Sequence, residues 1–488
     1  MALFLMLSSL GGCGKSSKKI TNIDGDGVSD FGDDINFGDG GDGTDGNGNG
    51  TGGGGGSSGP GRFGVKNTKT MPNFIKDLPA VSTITFMMSD NIDTKYEQEQ
   101  IAAFKELTGK EIKFKYERAT SWNAMPDELA AMVYANNAPD MFRISNVVGA
   151  WLVKKPIFED LNTYIDIDDP LWRETKGFLS DKYTTIDNKR YAAMISKEGA
   201  ISVSSGMIYN KKLTNAAIAK SGGTLKDPVT MFYEGTWNWD AFKKFVTLIT
   251  VPGNPTPQVW GLSGNATRLY GFISSTGTDI VSYKNGKFES TIDSASVLRA
   301  YSYARELSEI SPDSVSWDYV TRFTQDKIGF YFGSPYAEFA IPELLPLKKA
   351  GTIQFVPMPK DPEADAYYLS GEGNYNFIPK GAKNAKAAAA WYYYLRYLEY
   401  NQNPNLIAQE KASAAETFGW TANDYQYYKK DIAAMVKPLP LIGPRVEGFD
   451  INKFTSGVAN AQLGTPAQIL AELKPGHVAA INRHNNLK

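Results

Sequence analysis

From Ile84 to Ile144 the chain alternates between two hydrophobic periods, and few folds accept such a pattern. Ile84–Met88 is an apolar run of strand length. Thr94-Lys95-Tyr96-Glu97 has the form of a capping box, with Thr94 accepting from the backbone and Glu97 reaching back. Ile101, Phe104 and Leu107 follow at helical spacing until Gly109 ends the run. Ile112, Phe114 and Tyr116 then alternate with Lys113 and Lys115, the mark of a half-buried strand. A second helix is expected from Pro126 to Tyr134, with Pro126 suited to its first turn, and Met141–Ile144 is a short strand. This β-α-β-α-β order predicts a mostly parallel sheet with helices on its faces.

A different pattern begins at Tyr191. The apolar runs Tyr191–Ile195 and Met207–Tyr209 flank a segment of Ser, Ala and Gly, and the second run stops at Asn210-Lys211-Lys212. Such a stretch reads as extended chain that leaves one globular body and enters another. With 488 residues there is material for two cores. Asn238 is placed to cap a helix whose apolar face is Trp239, Phe242, Phe245 and Ile249; the spacing makes Trp237 and Trp239 core rather than ligand platforms. Asp293 is the expected cap of a helix with Val297, Leu298, Tyr301, Ala304 and Leu307 on one face. Lys327–Phe332 reads as a strand that ends at Gly333-Ser334-Pro335-Tyr336, and a Thr465/Gln468 capping box starts a final helix.

Composition narrows the function. The net charge of -2 leaves no basic excess for nucleic acid. The only histidines are His477 and His484, and the only cysteine is Cys13. Histidine-based catalysis, zinc held by several histidines and a disulfide framework are thereby set aside, and no cofactor is implied. Aromatic residues reach 12%, which suits a ligand with flat apolar faces as well as it suits an aromatic core.

The first eighty residues have their own character. Ala2–Leu7 is apolar but too short to span a bilayer, and Leu10-Gly11-Gly12-Cys13 follows it. Together they resemble a bacterial lipoprotein signal, with Cys13 the lipidated residue, although no Lys or Arg precedes the apolar run. From Gly14 to Pro60 the chain is rich in Gly and Asp and cannot bury enough surface to fold. About 40 such residues span roughly 35 Å, a suitable tether. Within it Asn22, Asp24, Asp26, Asp30 and Asp33 place oxygen ligands at the spacing of a calcium loop; a solvated acidic linker accounts for the same residues.

Several stretches, in order, resemble the family 1 extracellular solute-binding proteins of ABC importers. They are Asn136–Phe142 (NNAPDMF), Phe158–Leu161, Tyr191–Ile195, Ile208–Leu213 (IYNKKL), Trp237–Phe242 (WNWDAF), Lys327–Gly333 (KIGFYFG), Phe355–Lys360 (FVPMPK), Asn376–Lys383, Ala387–Leu395 and Thr465–Leu470. Met194-Ile195 stand where that family often has a Pro. The resemblance implies an α/β, periplasmic-binding-protein-like fold of two lobes, joined by a hinge of about three chain crossings and preceded by the disordered Gly/Asp-rich tether. The expected division is 1–13 signal and lipidation site, 14–80 linker, 81–195 with 356–400 as the first lobe, and 196–355 with 401–488 as the second. Crossings are expected at Tyr191–Leu213, near Phe355–Lys360 and near Tyr400.

It also implies a function: a monomeric, lipid-anchored protein on the extracellular face of a bacterial cytoplasmic membrane. It would close around a solute, a mono- or oligosaccharide above all, and pass it to membrane permease subunits without cleaving it. The alternatives are the same fold with a peptide, polyol phosphate or uronate, for which Arg143, Arg268 or Arg322 would line the cleft, and a secreted glycoside hydrolase with two flanking carboxyls. Ligands of open α/β sheets bind beyond the C-terminal strand ends. This nominates Trp122, Arg143 and Asn146 in the first lobe and Trp260 and Arg268 in the second, with Ser205 in the crossing and Glu372 beside a Gly turn. Tyr336 stands where the family presents a ring to its sugar. For Trp122 a cap on the core edge, for Arg143 a surface ion pair and for Glu372 a solvated loop fit the sequence equally; for Tyr336 contact with the ligand is favoured over a lid on the core.

Overall fold

A computed structural model describes the chain except for residues 1–70, 89–94, 122–123, 173–182, 196–205, 255, 264–267, 285, 313–317, 337, 372–373, 401–403, 441, 444–445, 447–448 and 488. Packed chain begins earlier than residue 81. Asn73–Asp77 is a 3₁₀ turn, with Ile75 and Leu78 buried in the first core and Phe74 5.8 Å from the ring of Tyr393. The apolar pair Ile75 and Leu78, three apart, gives this short segment a face to bury.

The first sheet has the order β2-β1-β3-β14-β6. Its members are β1 (Val81–Met88), β2 (Glu111–Arg118), β3 (Met141–Ser145), β6 (Ala192–Ala193) and β14 (Asn374–Phe377). Strand β1 pairs in parallel with β2 and β3, and β14 runs antiparallel to β3 and β6. Helix α1 (Lys95–Thr108) ends at Gly109, whose φ of +69° gives the chain its left-handed exit. Helix α2 (Met125–Tyr134) has Pro in its first turn, and α3 (Asn146–Leu152) follows β3 directly. Helix α9 (Ala385–Tyr400) shares a face of the sheet with α1; there Trp391 meets Phe104 at 5.7 Å and Phe114 at 5.1 Å, and Tyr392 donates to Phe377 O at 3.0 Å. A small hairpin of β4 (Thr185–Ile186) and β5 (Lys189–Arg190) lies outside both main sheets.

The second sheet has the order β12-β7-β11-β8, from β7 (Gly206–Asn210), β8 (Trp260–Ser263), β11 (Ile328–Gly333) and β12 (Ile353–Pro357). Strand β7 is buried at every residue and antiparallel to both neighbours, while β8 and β11 are parallel. Helices α4 (Lys211–Lys220), α5 (Trp239–Ile249), α6 (Arg268–Ser275), α7 (Ala295–Ile310) and α8 (Tyr319–Thr324) belong to this lobe. Its core is aromatic: Trp237 is fully buried, and Trp239 stacks on Tyr303 at 4.4 Å. Hairpin β9 (Val281–Lys284) and β10 (Lys287–Ser290) packs on the last helix, α11 (Pro466–Asn485), which follows α10 (Pro404–Phe418) and several short helices. The fold is thus two α/β lobes, as the stretch from Tyr191 and the family resemblance imply.

Two expectations are corrected. The cap of α7 is Ser294, which accepts from Val297 N, while Asp293 pairs with Lys474 at 2.6 Å. The stretch Phe355–Lys360 does not cross. Phe355 and Val356 pair with β7, Trp237 Nε1 donates to Pro357 O at 2.8 Å, and Lys360 exchanges backbone bonds with Trp237 and Trp239. Asp361, fully buried, holds Arg299 of α7 at 2.5 Å. The chain stays with the second lobe through β13 (Tyr367–Gly371), which pairs in parallel with β15 (Val436–Pro440), and joins the first sheet at Asn374. Two tight non-local stitches, invisible in the local pattern, move the crossing downstream.

Candidate functional site

The two sheets are joined at their matching edges. In the first, β6 runs parallel to β3, and Asn374 pairs with Ser145, the last residue of β3. In the second, Gly206 is level with Gly333, the last residue of β11, and with Pro357. The connection 193–206 therefore links the edges at which the parallel strands end, and 371–374 reaches the first of those edges from β13, whose two-stranded sheet stays with the second lobe. Those edges face one another, and the space between them is the candidate site. It is reached by Arg118, Ser145 and Asn374 from one lobe and by Ser263 and Gly333–Tyr336 from the other. Ser145 is buried, and its Oγ finds no partner among the described residues.

The segments that join the lobes are held at both ends. Arg396 of α9 is fully buried; its Nε donates to Leu171 O at 2.9 Å and its Nη1 to Ile195 O, which fixes the chain where the first crossing leaves. On the other side Asn210 caps α4 by accepting from Leu213 N and donates to Asp326 at 2.9 Å. Beyond β15, Ile442 is gripped from both lobes. Trp151 of α3 donates its indole N–H to Ile442 O at 2.9 Å, and Asp279 accepts from Ile442 N at 2.7 Å and Gly443 N at 2.8 Å. Burial pushes the Asp279 carboxyl up to about 6 against the pull of these N–H donors. Trp151 also packs on Phe288 at 4.5 Å and His484 at 4.8 Å.

The nominated residues distribute unevenly. Tyr336 stands on the turn after β11, with Phe418 and Trp420 edge-on at 5.5 and 5.0 Å and the Lys429 ammonium 5.3 Å above its ring. It is 6% exposed, so most of the ring closes over the second-lobe core. Arg143 lies inside the first sheet, buried, 5.6 Å from Phe86. Asn146 opens α3 at the facing edge. Trp260 lies at the opposite end of its strand, level with Ile328, beneath the Arg322 guanidinium at 3.7 Å. Arg268 turns into the core and donates to Ser308 Oγ at 2.5 Å. Their positions in the sequence, at a strand end and in the loop after it, nominate both for the cleft; the direction of β8 and the burial of α6 place them elsewhere. Trp122, Ser205, Glu372, Cys13 and the acidic set Asn22, Asp24, Asp26, Asp30 and Asp33 lie outside the described residues. Among the described residues no cluster of His, Cys, Asp and Glu could hold a metal ion.

Sequence reasoning passed over Glu338, Trp151, Asp279 and Arg396. Glu338 follows the GSPY turn by two residues, a signal available in the sequence. The other three are defined by partners more than a hundred residues away.

The sequence matches the family model of bacterial extracellular solute-binding proteins over residues 89–396, from just after β1 into α9. No curated protein matches it. Among solved structures it is similar to the ABC substrate-binding protein Lmo0181 from Listeria monocytogenes, in complex with cycloalternan. The identity is 16% and the TM-score 0.57, over 84% of this chain and 100% of that one. The GacH receptor of Streptomyces glaucescens, solved unliganded and with acarbose, gives 17% identity and a TM-score of 0.56 over 83% and 99%. An extracellular solute-binding protein from Staphylococcus aureus with maltose gives 14% and 0.57 over 83% and 99%.

Proposed function

The chain belongs to the bacterial extracellular solute-binding proteins, and we propose that its own solute is a carbohydrate, taken up between the lobes and passed to the permease of an ABC importer. The observation that carries this reading is the span of the family match, 89–396, which takes in every strand of the two main sheets except β1, together with two of the connections between the lobes. The carbohydrate class is supported by the relatives of like fold, solved with cycloalternan, acarbose and maltose. An anionic solute is less well served, because Arg268 and Arg322 are engaged within the second lobe. Capture proceeds by hinge closure about the three crossings, and affinity comes from shape and a few placed polar groups. Cys13 is the lipid attachment site, and the Gly/Asp-rich segment carries the lobes away from the membrane; among the described residues no helix is long and apolar enough to cross one.

The test is titration of the full chain with maltose, maltotetraose, acarbose and lacto-N-biose, following the fluorescence of its 9 Trp and its melting temperature. A ligand at a hundred times its Kd stabilises the protein by about 2.7 kcal/mol. A panel that leaves both signals unmoved removes the carbohydrate assignment and leaves the family standing.

A further inference from the structure

Glu338 follows the Gly333–Tyr336 turn, at the edge of the second sheet that faces the first. Its side chain folds back beneath that turn. Oε2 accepts the N–H of Ser334 at 2.5 Å, and a Cβ placed on Gly333 would fall 2.5 Å from Oε1. Only a glycine at 333 lets the carboxyl sit this close to the strand end. The residue is 6% exposed. Oε1 accepts no hydrogen bond from any described residue, yet it is not among the polar atoms sealed from solvent.

Holding the turn does not account for this arrangement. A buried carboxyl with a single donor is costly, and an amide would accept from Ser334 equally well. Among the described residues the titratable groups around it are Tyr319 of α8, stacked on Tyr331 of β11 at 3.9 Å, and Tyr336 on the turn with Lys429 above it. No described cation pairs with the carboxyl. Burial, opposed by the Ser334 N–H, pushes it up to about 7.

We propose that Glu338 is a ligand-contacting residue whose Oε1 accepts a hydrogen bond from a hydroxyl of the solute held between the lobes, so that solute capture releases a proton. This rests on the carbohydrate reading above. A hydroxyl donor favours the ionised carboxyl. Affinity then weakens about tenfold for each pH unit below roughly 7 and levels off above it. Capture is favoured where the surroundings are neutral and release where they are acidic.

The experiment begins with the unliganded full chain, treated near pH 6 with a water-soluble carbodiimide and glycine ethyl ester and mapped by peptide mass spectrometry. Glu338 is expected to take the label. Asp279, whose carboxyl is also raised but is held by the N–H groups of Ile280, Ile442 and Gly443, is expected to stay unmodified. An unlabelled Glu338 overturns the proposal whether or not any sugar binds. Millimolar maltotetraose should then abolish the label at Glu338 and spare exposed Glu106. Binding seen by fluorescence with the label retained refutes the contact. A chain that binds no member of the panel refutes the carbohydrate reading instead, and the proposal is then decided by the label alone. Finally, Glu338→Gln keeps the Ser334 bond and should lose the pH dependence of Kd; a variant that retains the wild-type slope also overturns it.

Discussion

Asp140 shows why one residue of a recognisable motif can matter to a whole lobe. It is buried, and its carboxyl accepts from Thr85 N at 2.9 Å, Asn384 N at 2.6 Å and Asn384 Nδ2 at 3.2 Å. Thr85 lies one residue before β1 begins to pair with β3, and Asn384 immediately precedes α9. One side chain thus closes the gap between two strands and seats the helix that covers them. Replacing it with Ala leaves two backbone donors without their acceptor, each costing about 1–3 kcal/mol where water cannot reach. Asp140→Ala should therefore lose about 3 kcal/mol of unfolding free energy in urea. Asp365→Ala, which removes a surface partner of Lys437, should leave the midpoint unchanged. Equal midpoints for the two variants would mean that the triple acceptor is not what holds β1, β3 and α9 together.

At the scale of elements, α11 carries both histidines of the chain, and the fold keeps both neutral. His477 Nδ1 lies 2.7 Å from Ser290 Oγ, and His484 is enclosed by Trp151 and Phe288. Burial lowers each to about 4, with Lys154 and Lys155 adding to the effect at His484. A group whose folded pKa is depressed contributes stability above its unfolded value, near 6.5, and loses it as pH falls toward 4; each shift is worth up to about 3 kcal/mol. Asp279 and Glu338 act in the opposite sense. Raised to about 6 and about 7, they contribute below their unfolded values and lose that contribution as pH rises through the folded ones. The wild-type profile is thus a near balance between pH 4 and 7. Removing the histidines as His477→Asn with His484→Phe should tilt it, with stability in urea rising on acidification from pH 7 to 5. A variant whose profile parallels the wild type would show that the imidazoles do not titrate on unfolding. Elements of this kind were legible where the signal is local. The strand and helix order of the first lobe, the Asn238 and Thr465 caps and the glycine exit of α1 all follow from residues within a turn of one another. What escaped was set by distant partners. The second crossing depends on Trp237 and Arg299 holding Pro357–Asp361, and the position of Trp260 depends on which way β8 runs beside β11. Arg268 stands after a strand end, yet α6 turns it inward toward Ser308.

For the molecule as a whole, the facing sheet edges matter only if the lobes can change their separation, and the grip on Ile442 bears on that freedom. Trp151 belongs to the first lobe, Asp279 to the second, and the segment after β15 passes between them. The indole also fills a recess between hairpin β9–β10 and the end of α11, where Lys154 donates to Asn485 O at 2.9 Å. Interfaces of this type hold one arrangement until something outweighs them. Trp151→Ala removes the donor and the packing at once, and the lobes should then sample a wider range of separations. Spin labels on exposed Ala102 of α1 and Ala216 of α4, in a chain with Cys13→Ser, report that range directly. The wild type should give one narrow distance distribution and the variant a broader one, with the two converging when a binding saccharide is added, because the solute then supplies the contact the indole supplied before. Distributions of equal width without ligand would place the control of closure in the crossings at Ile195 and Asn374 and leave Trp151 as packing alone.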